Sequence, residues 1–103
     1  MLFDSHAHYN DERFKEDMDE LLSSMQENNV GLILNSCSSL DEADDIFRIC
    51  EKYPFVYASI GVHPHEVHNL CDADMDTLRE YTKHPSVKAI GEIGLDLFDR
   101  LLL

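Results

Sequence analysis

Basic residues are scarce in this sequence. Eight Lys and Arg stand against 21 Asp and Glu, which gives a formal net charge of -13 at pH 7. Non-specific binding to nucleic acid relies on Lys and Arg that neutralise phosphates, so the composition disfavours a protein that holds nucleic acid by general electrostatic attraction. A metal site would be a local exception, because a bound cation dominates the field around it.

Long apolar runs are also absent from the sequence. No stretch reaches the roughly 20 apolar residues that a membrane-spanning helix needs, and the N-terminus has no basic segment followed by an apolar one, as a secretory signal would have. We therefore expect a soluble, cytoplasmic protein with no membrane partner.

Cysteine is sparse and irregularly placed. Cys37, Cys50 and Cys71 are odd in number, far apart and without a CxxC pair. This usage is typical of reduced thiols in the cytosol rather than of a disulfide framework. Cys50 lies on the apolar face of a predicted helix and is expected to be a packing residue. Cys37 follows a predicted strand, and the sequence offers no evident partner for a nucleophilic role there.

The sequence does contain a regular alternation of strand and helix patterns. Near-continuous apolar runs are typical of strands buried in parallel sheets, and a 3.6-residue apolar spacing is typical of helices that cover them. Strands are predicted over residues 1–4, 30–35, 55–62 and 86–93, and helices over residues 10–28, 39–52 and 72–83. The order β-α-β-α-β-α-β predicts an α/β class, one domain over residues 1–103, and a parallel β/α repeat. A doubly wound open sheet and the first half of a (β/α)8 TIM-type barrel of about 250 residues both fit this order.

Local signals set the ends of the first two helices. The first helix is predicted from one apolar stripe with Asn28-Asn29 as its stop. The stripe consists of Phe14, Met18, Leu21, Leu22 and Met25. Ser39-Leu40-Asp41-Glu42 matches a capping box at the start of the second helix. Tyr53-Pro54 is expected to end that helix, because the residue before proline disfavours the helical conformation.

Polar groups suited to chemistry lie at the C-terminal end of each predicted strand. Active sites of open α/β sheets and of (β/α)8 barrels are built at this carboxyl edge. The groups are His6 and His8 at the end of the first strand, Asn35 at that of the second, His63 and His65 at that of the third, and Glu92 and Asp96 at that of the fourth. Because side chains alternate along a strand, the two histidines at i and i+2 are expected to converge on one spot.

These groups form a chemically coherent set. His6 and His8 would supply neutral nitrogen ligands, and Glu92 a carboxylate able to bridge two divalent cations. Two such cations lower the pKa of a shared water and clamp the oxygens of a phosphoryl group. His63, next to the stiffening Pro64, is placed to contact a substrate phosphate or carbonyl. The structural alternatives are an accidental histidine pair near a terminus and a surface glutamate between two glycines.

Three segments resemble the signatures of the TatD family of metal-dependent hydrolases. They are Leu2-Phe3-Asp4-Ser5-His6-Ala7-His8, Gly61-Val62-His63-Pro64-His65 and Ala89-Ile90-Gly91-Glu92-Ile93-Gly94-Leu95-Asp96, in the family's order. The likeness covers residues 1–96 and implies a (β/α)8 barrel with two divalent ions, of which Mg, Mn and Zn are the candidates. It implies a deoxyribonuclease that cleaves phosphodiester bonds of DNA through metal-activated water. By the same resemblance His6, His8 and Glu92 are metal ligands, and Glu92 and His63 are catalytic.

The sequence departs from the family pattern in two places. Asn35-Ser36-Cys37 stands where the family has a glycine-threonine pattern, and residues 97–103 form a departing tail that we interpret as a truncation, for example after a frameshift. The second half of the barrel would then be missing, together with two histidines and an aspartate of the family's metal site. We therefore expect at most one ion, since catalytic zinc sites often have three protein ligands, and a chain that lacks part of the catalytic machinery.

Three functional hypotheses stay open at this point. The first is a TatD-type phosphodiesterase whose N-terminal part is this chain. The second is an amidohydrolase or a polymerase-and-histidinol-phosphatase-type (PHP-type) phosphoesterase, since both also begin with a histidine pair after a strand. The third is a non-catalytic remnant that binds a metal or a partner. A half barrel also exposes strand edges and an apolar inner face, which favours self-association, pairing with a complementary fragment, or marginal stability.

Overall fold

One four-stranded sheet organises the molecule. The computed structural model describes residues 1–93, apart from the side chains of His65, His68 and Asn69. Asp96 and the tail over residues 97–103 therefore lie outside the described residues. The strands are β1 (Leu2–Ala7), β2 (Val30–Ser36), β3 (Val56–Ile60) and β4 (Val87–Ile90). They lie side by side in sequence order, and every neighbouring pair is parallel.

Helical segments connect the strands, as a parallel sheet requires. The α-helices are α1 (Met18–Ser23), α2 (Ala43–Lys52) and α3 (Asp72–Tyr81), and short 3-10 helices span Glu12–Phe14, Leu40–Glu42 and Pro64–Asn69. The predicted parallel β/α repeat is thus confirmed. The helix α2 ends at Lys52, one residue before Tyr53-Pro54, as predicted.

The prediction of one continuous helix over residues 10–28 is wrong. In place of one helix over residues 10–28, the structure has the 3-10 turn at Glu12–Phe14 and the six-residue α1. Local side-chain hydrogen bonds compete with the helix. The Asp11 carboxylate accepts from the backbone N–H of Arg13, and the Ser24 hydroxyl donates to the Leu21 carbonyl. The stop at the asparagines is correct, because Asn29 has a φ of 63°, the left-handed conformation that closes helical segments.

The capping prediction for the second helix is also wrong in detail. Ser39 makes no side-chain capping bond, and a 3-10 turn precedes α2. The Glu42 carboxylate instead accepts from the backbone N–H of Ser38, at 3.1 Å. At the third helix the cap is Cys71, one residue earlier than expected, and its backbone N–H donates to the Asp74 carboxylate at 3.0 Å.

The core lies between the helices and one face of the sheet. Its largest fully buried apolar side chains are Leu22, Ile33, Ile46, Val56 and Ile60, all at most 1% exposed. The apolar stripe of the first predicted helix does reach this core through Leu22 and Met25, although the helix is interrupted. Periodicity therefore predicted which side chains are buried better than it predicted the conformation that buries them.

The opposite face of the sheet carries exposed apolar side chains. Phe3 of β1 and Leu32 of β2 are register partners, 57% and 37% exposed, and Leu32 precedes the fully buried Ile33. Because successive side chains alternate faces, this pair lies on the side that the helices leave uncovered. In the part of the chain that the structure describes, no helix is both long and apolar enough to cross a membrane.

Candidate metal centre

The carboxyl edge of the sheet brings together side chains from three strands. β1 runs to Ala7, three residues further than predicted, so that His6 lies in the strand and His8 directly after it. His63 follows β3, and Glu92 lies two residues after the end of β4. The strands are parallel, so their carboxyl ends share one edge. The structure therefore places the predicted site residues within reach of one another.

Two histidines and a glutamate form the centre of this cluster. Oε1 of Glu92 lies 2.8 Å from Nε2 of His6 and 3.4 Å from Nε2 of His8. The two Nε2 atoms are 3.1 Å apart, and the rings meet edge to face at an interplanar angle of 81°. Histidines at i and i+2 thus converge, as the strand pattern predicts.

The three groups fit a divalent cation in both chemistry and spacing. Their ligand atoms all lie within 4.8 Å of one another. Two atoms at roughly 2.1 Å from a tetrahedral zinc ion are about 3.4 Å apart, close to the separations seen here. Imidazole nitrogens suit zinc and related metals, and a carboxylate extends the choice to magnesium and manganese. Three protein ligands are also the number found in many catalytic zinc sites, which keep a fourth position open.

His63 lies on the other side of the Glu92 carboxylate. Its Nε2 is 3.5 Å from Oε2 of Glu92, whereas His6 and His8 face Oε1. The backbone N–H of His63 donates to the carbonyl of Ser38 at 2.7 Å, which fixes the start of the loop. The His63 side chain is about one third exposed, less than that of His6. The side chain of His65 lies outside the described residues.

The backbone around Glu92 is held closely against the neighbouring strands. Its N–H donates to the Cys37 carbonyl at 3.1 Å, and the N–H of Gly91 donates to the Ile60 carbonyl at 3.0 Å. A Cβ at Gly61 would lie 2.4 Å from the carbonyl oxygen of Glu92. Glycine at position 61 therefore allows the close approach of two backbones that sets Glu92 at the edge.

Asn35 serves the site indirectly. Its side chain is fully buried on the helix side of β2, where Oδ1 accepts from the backbone N–H of Tyr9 at 2.7 Å and Nδ2 donates to the side-chain oxygen of Asn10 at 3.0 Å. These bonds anchor the loop directly after His8. The sequence places Asn35 among the strand-end polar groups, and the structure shows that it faces the loop rather than the cluster.

Ser36 is a contact of the cluster that sequence reasoning missed. Its hydroxyl lies 3.1 Å from Nδ1 of His6, the ring nitrogen opposite the one that faces Glu92. Strand alternation gives the signal that could have found it, because Ser36 follows Asn35 and so points to the other face of β2.

Cys37 is not set up as a nucleophile. Its side chain is fully buried, and its thiol donates to the carbonyl of Ser39. Burial raises the pKa of this thiol to about 11, and the thiolate is the reactive form of cysteine. Cys37 is therefore protonated near neutral pH. Cys50 is buried in the core as predicted, with its pKa also raised to about 11 by burial.

The fold is a parallel β/α sheet, and the cluster of histidines and a carboxylate at its edge has the ligand types of a metal site. The family model described as TatD related DNase matches residues 3–101. The chain therefore belongs to the TatD-related DNase family, which confirms the resemblance found in its three signatures.

Two curated relatives illustrate the match. YabD of Bacillus subtilis (strain 168), named an uncharacterized metal-dependent hydrolase, is 34% identical over 96 residues, covering 93% of this chain and 38% of YabD. The 3'-5' ssDNA/RNA exonuclease TatD of Musicola paradisiaca (strain Ech703) is 31% identical over 96 residues, covering 92% of this chain and 36% of that protein. The chain thus spans less than two fifths of the length of these relatives.

A solved structure shows the same fold. The crystal structure of the TatD homologue YjjV from Escherichia coli K12 matches with a TM-score of 0.82 and 28% identity, covering 94% of this chain and 38% of YjjV. The four parallel strands and the three helices between them therefore have the arrangement of the first half of a (β/α)8 barrel, which decides between the two predicted architectures.

Proposed function

We propose that this chain is part of a TatD-type metal-dependent hydrolase that cleaves phosphodiester bonds of DNA. The observation that carries the proposal is the meeting of His6, His8 and Glu92 at one edge of the sheet, with ligand atoms within 4.8 Å. Membership of the TatD-related DNase family and a relative named as a single-stranded DNA and RNA exonuclease support a nucleic-acid substrate.

The three residues have distinct roles in this proposal. His6 and His8 would hold one divalent cation through their Nε2 atoms, and Glu92 would hold it through Oε1. A cation bound there would lower the pKa of a coordinated water and polarise a phosphoryl oxygen. Glu92 is also the catalytic carboxylate of the proposal, because Oε1 faces the histidine pair and leaves Oε2, which faces His63, for the reaction.

His63 would contact the substrate rather than the ion. Its Nε2 lies 3.5 Å from Oε2 of Glu92, the carboxylate oxygen that does not face the histidine pair. An imidazole N–H at that place can donate to a phosphate oxygen. Glu92 orients the ring, so that a change at Glu92 is expected to disturb substrate contact as well as metal binding.

The strong negative charge of the chain makes the cation important for substrate binding too. With 21 acidic and eight basic residues, the molecule repels a phosphate backbone at long range. A bound cation reverses the field locally. Chelation with EDTA is therefore expected to abolish oligonucleotide binding as well as cleavage.

A nuclease assay with matched variants tests the proposal. A 5'-labelled single-stranded DNA is incubated with the chain and Mg, Mn or Zn, and with His6→Ala, Glu92→Gln and Glu27→Gln. Glu27 is the control, because it is exposed and precedes β2 at the opposite edge of the sheet. Any shortening of the DNA is expected to require the metal, to be lost in the first two variants and to be kept in the third.

The other outcomes separate the remaining hypotheses. Cleavage that survives both His6→Ala and Glu92→Gln would contradict the metal-site assignment. Metal binding without cleavage, lost in the same two variants, would favour a non-catalytic metal-binding remnant. Hydrolysis of amides but not of phosphodiesters would favour the amidohydrolase alternative.

A further inference from the structure

Three consecutive residues at the end of β2 each contact a different member of the site. The hydroxyl of Ser36 lies 3.1 Å from Nδ1 of His6. The carbonyl of Cys37 accepts from the N–H of Glu92, and the carbonyl of Ser38 accepts from the N–H of His63. This segment therefore joins the ends of β1, β3 and β4.

Only one of the three contacts depends on the identity of the side chain. Any residue at positions 37 and 38 would offer the same backbone carbonyls. The contact to His6 needs a side-chain hydroxyl at position 36, where the sequence departs from the glycine-threonine pattern of the family it resembles. Ser36 is 2% exposed, so its hydroxyl has little access to solvent as an alternative partner.

The two ring nitrogens of His6 contact different partners. Nε2 lies 2.8 Å from Glu92 and 3.1 Å from Nε2 of His8, while Nδ1 faces Ser36. A neutral imidazole has one N–H and one acceptor nitrogen, whereas a hydroxyl can donate or accept. Ser36 can therefore pair with Nδ1 when Nε2–H donates to Glu92, and equally when Nε2 is a metal ligand and Nδ1 carries the proton.

We propose that Ser36 is a positioning residue for the metal centre, whose hydroxyl holds the His6 imidazole with Nε2 toward the ion. The inference rests on the proposed metal site and deepens it. A partner on the second ring nitrogen fixes the orientation and tautomer of a metal-bound histidine, and its loss typically costs 10- to 100-fold in metal affinity. Ser36 would touch neither ion nor substrate.

Cobalt titration of the 103-residue chain tests this role through a readout other than activity. We expect Ser36→Ala to weaken Co²⁺ binding by about 10- to 100-fold. Ser36→Thr, which keeps a hydroxyl, should restore most of the affinity. Ser59→Ala is the control, because Ser59 is the buried register partner of Ser36 on β3. The Co²⁺ affinity of Ser59→Ala should match that of the parent chain, and so should the unfolding midpoint of every metal-free variant.

A second measurement on the metal-free chain separates this inference from the proposed function. Nitrogen-15 NMR should show the Nδ1 signal of His6 unchanged in Ser36→Thr and shifted in Ser36→Ala, because only alanine removes the hydroxyl 3.1 Å from Nδ1. If the parent chain binds no Co²⁺ but shows this dependence, the proposed metal function fails and the Ser36–His6 contact stands. Unchanged Co²⁺ affinity in Ser36→Ala, or an Nδ1 signal of His6 indifferent to Ser36, would overturn the inference.

Discussion

Glu92 connects the residues of the candidate site, because its two carboxylate oxygens face different histidines. Oε1 faces His6 and His8, and Oε2 faces His63. Sequence reasoning could place these four residues together, since each lies at the C-terminal end of a predicted parallel strand. It could not give their distances, which depend on the backbone bonds that seat Glu92 against β2 and β3.

Ser36 shows why part of the site escaped sequence reasoning. Serine at a strand end carries no chemistry of its own, and its contact with His6 arises only when β1 and β2 pair in register. Asn35 shows the opposite error, because a polar residue at a strand end need not face the site. Its amide bonds to the loop after His8 instead.

The burial of two cysteines gives a prediction at the residue scale. Cys37 and Cys50 are buried with pKa values raised to about 11, whereas Cys71 is exposed. At pH 8 iodoacetamide should label Cys71 in the folded chain and leave the other two unmodified, because alkylation requires an accessible thiolate. Peptide mass spectrometry measures the labelling, and urea-unfolded chain, in which all three should react, is the control. Labelling of native Cys37 as fast as Cys71 would contradict the buried position of Cys37.

At the scale of elements, the strands were more predictable than the helices. All four parallel strands were predicted within a few residues, because apolar runs between helical segments leave few other conformations. The first helix was not, because its ends depend on hydrogen bonds of Asp11 and Ser24 that compete with the helix and carry no apolar periodicity. Which of its side chains are buried was nevertheless predicted, because side chains of the predicted apolar stripe pack in the core.

A polar contact ties α1 to the end of α2. The Lys52 ammonium lies 2.8 Å from the Asp19 carboxylate, which also accepts from the Tyr53 hydroxyl. The bond from Lys52, followed by that from Tyr53, lowers the pKa of Asp19 below its ordinary value of 3.8. The ionised form is thus favoured in the folded chain. This contribution to stability is present above the unfolded pKa and is lost as the pH falls through the lower folded pKa.

Urea unfolding of Asp19→Asn against the parent chain tests this contact. We expect the variant to be less stable at pH 7. The difference should shrink as the pH falls below 3.8 toward the lower pKa of Asp19 in the folded chain, because the unfolded chain gains the proton first. Asp76→Asn is the control, because Asp76 pairs only with Arg79 within α3 among the described residues. A stability difference for Asp19→Asn that stays constant down to pH 2.5 would contradict the assigned contact.

At the scale of the whole molecule, the helices leave one face of the described sheet uncovered. Phe3 and Leu32 are exposed as neighbours, and β1 and β4 are the edge strands of the described sheet. Exposed edges and apolar surface favour association. The charge of -13 opposes it at low salt. Association of two copies should therefore strengthen as salt screens the repulsion.

Sedimentation equilibrium at low and high salt measures this association. We expect a dimer whose dissociation constant falls with added salt, and weaker association for Leu32→Ser. Leu70→Ser is the matched control, because Leu70 is exposed to a similar degree as Leu32 but lies between β3 and α3. A monodisperse monomer at high concentration with a cooperative melt would contradict self-association.

We propose that residues at the ends of β1 and β4 together hold one metal ion. Anomalous diffraction at the zinc absorption edge, from crystals of the zinc-loaded chain, shows the position of such an ion. We predict one strong peak within bonding distance of Nε2 of His6, Nε2 of His8 and a carboxylate oxygen of Glu92, and its loss in Glu92→Gln. A loaded crystal with no peak at these three residues, or with an equal peak in Glu92→Gln, would contradict it.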